Sequence, residues 1–146
     1  MSKEDAHVAV LREAYRQWDD TKGGSVRHWL ELMTDDVSFR SLAGGRPEGK
    51  SAMGFNHDNT NRAAVEAYFA AMANEWEMVH FRPTEFIAQG DRVAVLGECA
   101  WKSKRTGQVA ESPFAQFFTF RDGRIAAIVE MFDTATAVAV HGRPTA

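Results

Sequence analysis

The chain has 146 residues, 45% of them hydrophobic and 25% charged, with a formal net charge of -3 and a single cysteine, Cys99. This balance predicts one globular domain over residues 1–146, large enough to hold a core without a disulfide or a metal. No basic stripe supports nucleic-acid binding, no apolar run approaches the roughly 20 residues of a membrane span, and the charged start Met1 to Asp5 has no signal core, so the expected location is the cytoplasm.

Residues 4–20 read as a helix, because Val8, Leu11, Tyr15 and Trp18 recur at helical spacing. Gly23-Gly24 ends it, and residues 26–33 form a short second helix with Val26, Trp29, Leu30 and Met33 on its apolar side. Thr34 to Asp36 reads as a turn, and Val37 to Leu42 alternates like a strand. Residues 43–61 are irregular and long enough to serve as a lid or pocket rim, with His57 and Asp58 as lid candidates. A third helix covers 62–76 through Val65, Tyr68, Phe69, Met72 and Trp76.

From there the period changes. Four extended segments, about 77–88, 92–104, 108–120 and 124–133, are joined at Gly90-Asp91, Thr106-Gly107 and Asp122-Gly123. Such dipeptides supply the positive φ that two-residue hairpin turns need. A short helix from Thr134 to Val140 closes the chain. The order predicts an α+β fold, with the three helices of the N-terminal half on one face of a curved, largely antiparallel sheet. The last two strands are apolar on both faces, so a second copy of the chain is expected to cover the other face, giving a homodimer through the sheet.

Two carboxylates interrupt this apolar pattern. Glu130 lies between Ile128 and Phe132, and Glu98 between Leu96 and Ala100. A carboxylate on an apolar strand face costs energy unless it is paired or protonated. With two-residue turns at Thr106-Gly107 and Asp122-Gly123, both glutamates fall opposite Ala115, with backbones about 10 Å apart across three strands. A shared cavity would raise both pKa values and make an acid/base pair. A bulge in either hairpin would break the row. The plainer alternative is that either acid pairs with an arginine or lies on a wet face.

Tyr15, on the buried stripe of the first helix, is the third catalytic candidate, although a core tyrosine is the commoner outcome. Trp18, Phe39, Phe55, Phe69, Phe86, Ala115, Phe117, Ile128 and Phe132 are candidate pocket-lining residues. No paired cysteine, His-x-x-x-His or carboxylate cluster supports a metal, and neither a phosphate loop nor a nucleophile elbow is present. No cofactor is expected.

The stretches Phe86 to Val95 and Ser112 to Ile125, together with Glu130 to Ala135 and Glu75-Trp76-Glu77, resemble the SnoaL-like polyketide cyclases. These share a cone-shaped fold with nuclear transport factor two and ketosteroid isomerase. The resemblance implies an acid/base carboxylate at Glu130, one methylene longer than the aspartate of those cyclases. It also implies a histidine near Ala115 or Gln116, which this chain lacks. The similar limonene epoxide hydrolases use an acid at the same position, with an arginine and an aspartate on the strand that holds Glu98. Ketosteroid isomerases have a first-helix tyrosine matched by Tyr15. No one of these sets is complete here. The expectation is a small enzyme doing proton transfer on an apolar metabolite. The alternatives are a binding protein using the same pocket, or a dimeric module whose cavity is filled by its own side chains.

Overall fold

The computed structural model describes residues 1–41 and 58–142. The expectations for Phe55 and His57 lie outside these residues. Helix α1, Lys3–Asp20, starts where Ser2 Oγ accepts from the Asp5 backbone N–H, and stops at Thr21, before the positive φ values of Lys22 and Gly23. Helix α2 spans Val26–Leu32 and runs directly into strand β1, Met33–Ser41. Thr34 to Asp36 is therefore strand rather than the expected turn. The two-residue strand β2, Asp58–Asn59, pairs with β1. Helix α3, Arg62–Glu75, is capped by Asn61, whose Oδ1 accepts from the Ala64 N–H at 2.8 Å. Strands β3 (Trp76–Gln89), β4 (Arg92–Ser103), β5 (Val109–Arg121) and β6 (Arg124–Phe132) follow, then helix α4, Thr134–His141, capped by Asp133.

Among the described residues the sheet has six strands in the order β2-β1-β6-β5-β4-β3. Neighbours are antiparallel except β1 and β6, which run parallel. The α+β reading holds: α1, α2 and α3 pack on the inner face, where Leu11, Tyr15, Trp18, Trp29, Val65 and Phe69 meet Val93, Val95, Phe114, Phe118 and Ile128 in one core.

Two local features set the register, and both depart from the expected two-residue counting. Between β4 and β5, Lys102 pairs with Val109, so the connector is Lys104 to Gly107. The Gly107 N–H donates to the Ser103 carbonyl and the Ser103 N–H to the Gln108 carbonyl, each at 2.8 Å. Ser103 Oγ accepts from the Arg105 and Thr106 N–H groups inside this wider turn. The register slides by two residues, and Glu98 falls opposite Pro113, not Ala115.

Between β5 and β6, Arg121 pairs with Arg124 and Phe120 with Ile125, as the Asp122-Gly123 turn requires, but Thr119 then pairs with Ala127. Ala126 is the extra residue of a bulge. Side-chain direction has a period of two, so one added residue turns everything beyond it over. Glu130 therefore pairs with Gln116, and Ala115 with Met131.

Paired residues share a face, so two rows describe the sheet. Phe86, Val95, Gln116, Glu130 and Ser41 form an inner row, while Glu85, Leu96, Ala115 and Met131 form an outer one. No described helix lies over the outer row, where Leu96 and Met131 are each 39% exposed; Ile87, in the next outer row, is 54% exposed. Gly97 lets the Phe114 ring lie flat on β4, since a Cβ at Gly97 would stand 2.5 Å from that ring and 2.3 Å from the Arg82 carbonyl oxygen.

Candidate functional site

A cavity of about 100 Å³ lies between the inner face and the helices, with an end wall contributed by Trp76, Asp133 and Ala137. Its walls are mostly aromatic. Of the expected lining residues, Trp18, Phe39, Phe69, Ile128 and Phe132 are there, as are Tyr15 and Glu130.

The others are elsewhere. Ala115 and Phe117 alternate with the inward Phe114, Gln116 and Phe118 on β5 and so point to the outer face, while the Ala126 bulge turns Glu130 inward and away from Ala115. Phe86 faces inward but packs behind Tyr15, ring centroids 6.0 Å apart, and under the Arg12 guanidinium at 4.4 Å. Glu98 is exposed on the outer face beside Arg82, so the expected two-glutamate row does not form. Asp58 belongs to β2 at the sheet edge, exposed and paired in register with Arg40.

Glu130 is the centre of a hydrogen-bonded group. The Tyr68 hydroxyl donates to its Oε1 at 3.1 Å, and Gln116 Nε2 donates to its Oε2 at 3.0 Å. The Tyr15 hydroxyl donates to Gln116 Oε1 through a short contact. That contact fixes the amide: with its oxygen committed to Tyr15, its N–H₂ must face Glu130. Ser41, next to Glu130 across β1 and β6, has a solvent-sealed hydroxyl with no hydrogen bond of full geometry, yet it is close enough to favour the ionised carboxyl.

Burial pushes the Glu130 carboxyl above its ordinary range, and Gln116, Tyr68 and Ser41 pull against that rise. Glu130 keeps some accessible surface because one edge borders the cavity, although protein atoms surround it on all sides. The Tyr15 and Tyr68 hydroxyls are pushed well up by burial and by the Glu130 charge, so both stay protonated donors. Cys99, also on the wall, is pushed up to about 12 by burial and by Glu130, which leaves a thiol rather than a thiolate nucleophile. No group of metal-ligating side chains occurs among the described residues.

Sequence reasoning missed Tyr68 and Gln116. Gln116 carried a signal: it is a polar residue between Phe114 and Phe118 on the most apolar strand. The Ala126 bulge, which has no sequence mark of its own, hid its alignment with Glu130.

The Glu130 carboxyl stands on the last strand of the sheet and borders the cavity. Residues 11–128 match the SnoaL-like domain. This chain belongs to that family. Among solved structures it is similar to an NTF2-like protein of unknown function from Burkholderia pseudomallei, with 23% identity, a TM-score of 0.76, and 96% of this chain and 98% of that one covered. It is also similar to TerC co-crystallised with polyporic acid (24% identity, TM-score 0.74, 93% and 98% covered). A third is a candidate SnoaL-like polyketide cyclase from Jannaschia sp. CCS1 (18% identity, TM-score 0.73, 97% and 95% covered). At these identities the likeness establishes the fold alone. No curated protein matches the chain. No helix among the described residues is long and apolar enough to cross a membrane.

Proposed function

We propose that this SnoaL-like chain is a cofactor-independent enzyme that moves a proton on a largely apolar small molecule held in the cavity, with Glu130 as the acid/base. The observation that carries this reading is the Glu130 carboxyl itself, on an apolar wall, accepting from Gln116 Nε2 and the Tyr68 hydroxyl. Desolvation makes the carboxylate a stronger base than in water, while two neutral donors keep it ionisable. Glu130 would take a proton from an acidified C–H or O–H of the ligand and return it at a second position, the balance of an isomerisation or cyclisation. Tyr15 acts through Gln116, holding the amide so that Glu130 receives N–H rather than C=O. The small-molecule reading is supported by the cavity and by the polyporic acid complex of a protein with the same fold. The apolar outer row supports a homodimer formed through the sheet, with residues 1–146 as one domain.

A non-catalytic binding protein is the second reading, favoured by the internal satisfaction of both Glu130 oxygens. A metabolite panel screened by thermal shift supplies ligands, and a ligand at 100 times its Kd stabilises by about 2.7 kcal/mol. Turnover of such a ligand by the wild-type chain, abolished in Glu130→Gln with binding retained, supports the enzyme. Binding without turnover in both chains supports the binding protein and removes the catalytic reading.

A further inference from the structure

We infer that the cavity selects a small organic cation, an alkylated ammonium group on an apolar body, over neutral and anionic molecules of the same shape. The inference rests on the placement of Glu130 used above and adds the charge of the ligand.

Three observations point the same way. First, the polar group on the wall centres on an acceptor: the Tyr15 hydroxyl donates to Gln116, and Gln116 Nε2 and the Tyr68 hydroxyl donate to Glu130, so the charge these bonds converge on is a carboxylate. Second, the charged side chains on the described cavity wall are both acids, Glu130 and Asp133, and no Lys, Arg or His joins them. Asp133 is held in its ionised form by the Thr136 hydroxyl and backbone N–H that it caps. An anion entering would meet like charge with no counter-ion. Third, the rest of the wall is ring surface. Tyr15, Trp18 and Phe69 stand beside Trp29, Trp101 and Phe118, and faces and edges alternate: Tyr15 meets Trp29 at 83° and Trp18 meets Trp29 at 90°. Perpendicular rings present their negative faces in several directions around one volume, the arrangement that holds a quaternary ammonium group.

The physical drive is compensation. The Glu130 carboxylate has lost most of its hydration, and its neutral donors restore only part of it. A cation beside it restores the rest, and its methyl groups give up little solvation in entering an aromatic box. A neutral ligand leaves the carboxylate uncompensated, or forces it to take up a proton.

The test uses three probes of near-equal shape: benzyltrimethylammonium, its carbon isostere neopentylbenzene, and phenylmethanesulfonate. All four tryptophans of the chain line the cavity, so intrinsic fluorescence reports occupancy directly. At pH 8 the wild-type chain is expected to bind the cation at least tenfold more tightly than the isostere, with no binding of the sulfonate up to millimolar concentration. In Glu130→Gln the cation preference is expected to fall within threefold. The wild-type comparison stands by itself should that variant not fold. Equal or tighter binding of neopentylbenzene, binding of the sulfonate, failure of all three probes, or a cation preference that survives Glu130→Gln would each overturn the inference. Turnover that depends on Glu130 in a chain without cation preference would overturn this inference and leave the proton-transfer reading in place.

Discussion

Gln116 joins Tyr15 to Glu130: its Oε1 accepts the Tyr15 hydroxyl and its Nε2 donates to Glu130 Oε2 at 3.0 Å. One amide thus couples the first helix to the last strand of the sheet, and its orientation is decided at the Tyr15 end. Tyr15→Phe should leave Gln116 Oε1 buried without a donor. A loss of about 1–3 kcal/mol in denaturant unfolding is expected. Combined with Gln116→Leu, the losses should be less than additive, because the partner that Tyr15 satisfies is gone. Strict additivity would show that the two side chains are not coupled.

Glu130→Gln should raise stability at the expense of function. Burial raises the folded-state pKa of Glu130 above its ordinary value. The fold therefore carries no penalty from this group below the unfolded pKa of about 4.3, and loses stability as pH rises through the folded value. Each unit of separation is worth about 1.4 kcal/mol. Glutamine cannot ionise, so the Tm advantage of the variant over wild type should be larger at pH 8 than at pH 4. A pH-independent difference would mean that the carboxylate is not destabilised by its site.

His141 should make α4 sensitive to acid. Its Nδ1 lies 2.7 Å from Ser103 Oγ and its Nε2 3.1 Å from Glu75 Oε2, and its ring stacks on Trp76 at 4.5 Å. Ser103 Oγ already accepts from two backbone N–H groups, so its own proton is free to go to a neutral Nδ1. Burial and then the Arg105 charge depress the His141 pKa, with Glu75 opposing them. The stability from neutral His141 is complete above the unfolded pKa of about 6.5 and is lost as pH falls through the depressed folded value. Amide protection factors in α4, corrected for the intrinsic pH dependence of exchange, should fall between pH 7.5 and pH 5, and His141→Gln should flatten that dependence.

Gly97→Ala tests the close approach of Phe114 to β4. The added methyl would meet the ring at 2.5 Å and the Arg82 carbonyl at 2.3 Å, and neither the ring, stacked on Phe81 at 4.2 Å, nor the backbone has room to retreat. A cost of about 1–3 kcal/mol, the usual range for overpacking, is expected from urea unfolding.

Leu96→Glu tests the outer face. Leu96 stands in the row with Ala115 and Met131, opposite the cavity side of the sheet. If two copies meet there, sedimentation should show a dimer for the wild-type chain and a monomer for the variant, with the fold intact by circular dichroism. A wild-type monomer at micromolar concentration would remove the dimer proposal.

The sequence by itself determined the order of the helices and of the five longer strands, though not the two-residue β2 or the start of β1, because hydrophobic period and turn residues are local signals. Asp122-Gly123, with φ of 51° and 79°, turned the last hairpin where its dipeptide said it would. The apolar strand around Glu130 also marked that carboxyl as out of place. What only the tertiary structure decided was which side chains share a face. Ala126 is an ordinary residue in an apolar run, and its bulge is set by how β6 must pair with both β5 and β1. The width of the Lys104 to Gly107 turn depends on Ser103, which also binds His141 from the far end of the chain. Those two long-range choices separate Glu98 from Glu130 and bring Gln116, Tyr68 and Tyr15 around the Glu130 carboxyl at the cavity. One residue of register reverses a strand's faces, and register is a property of the whole sheet.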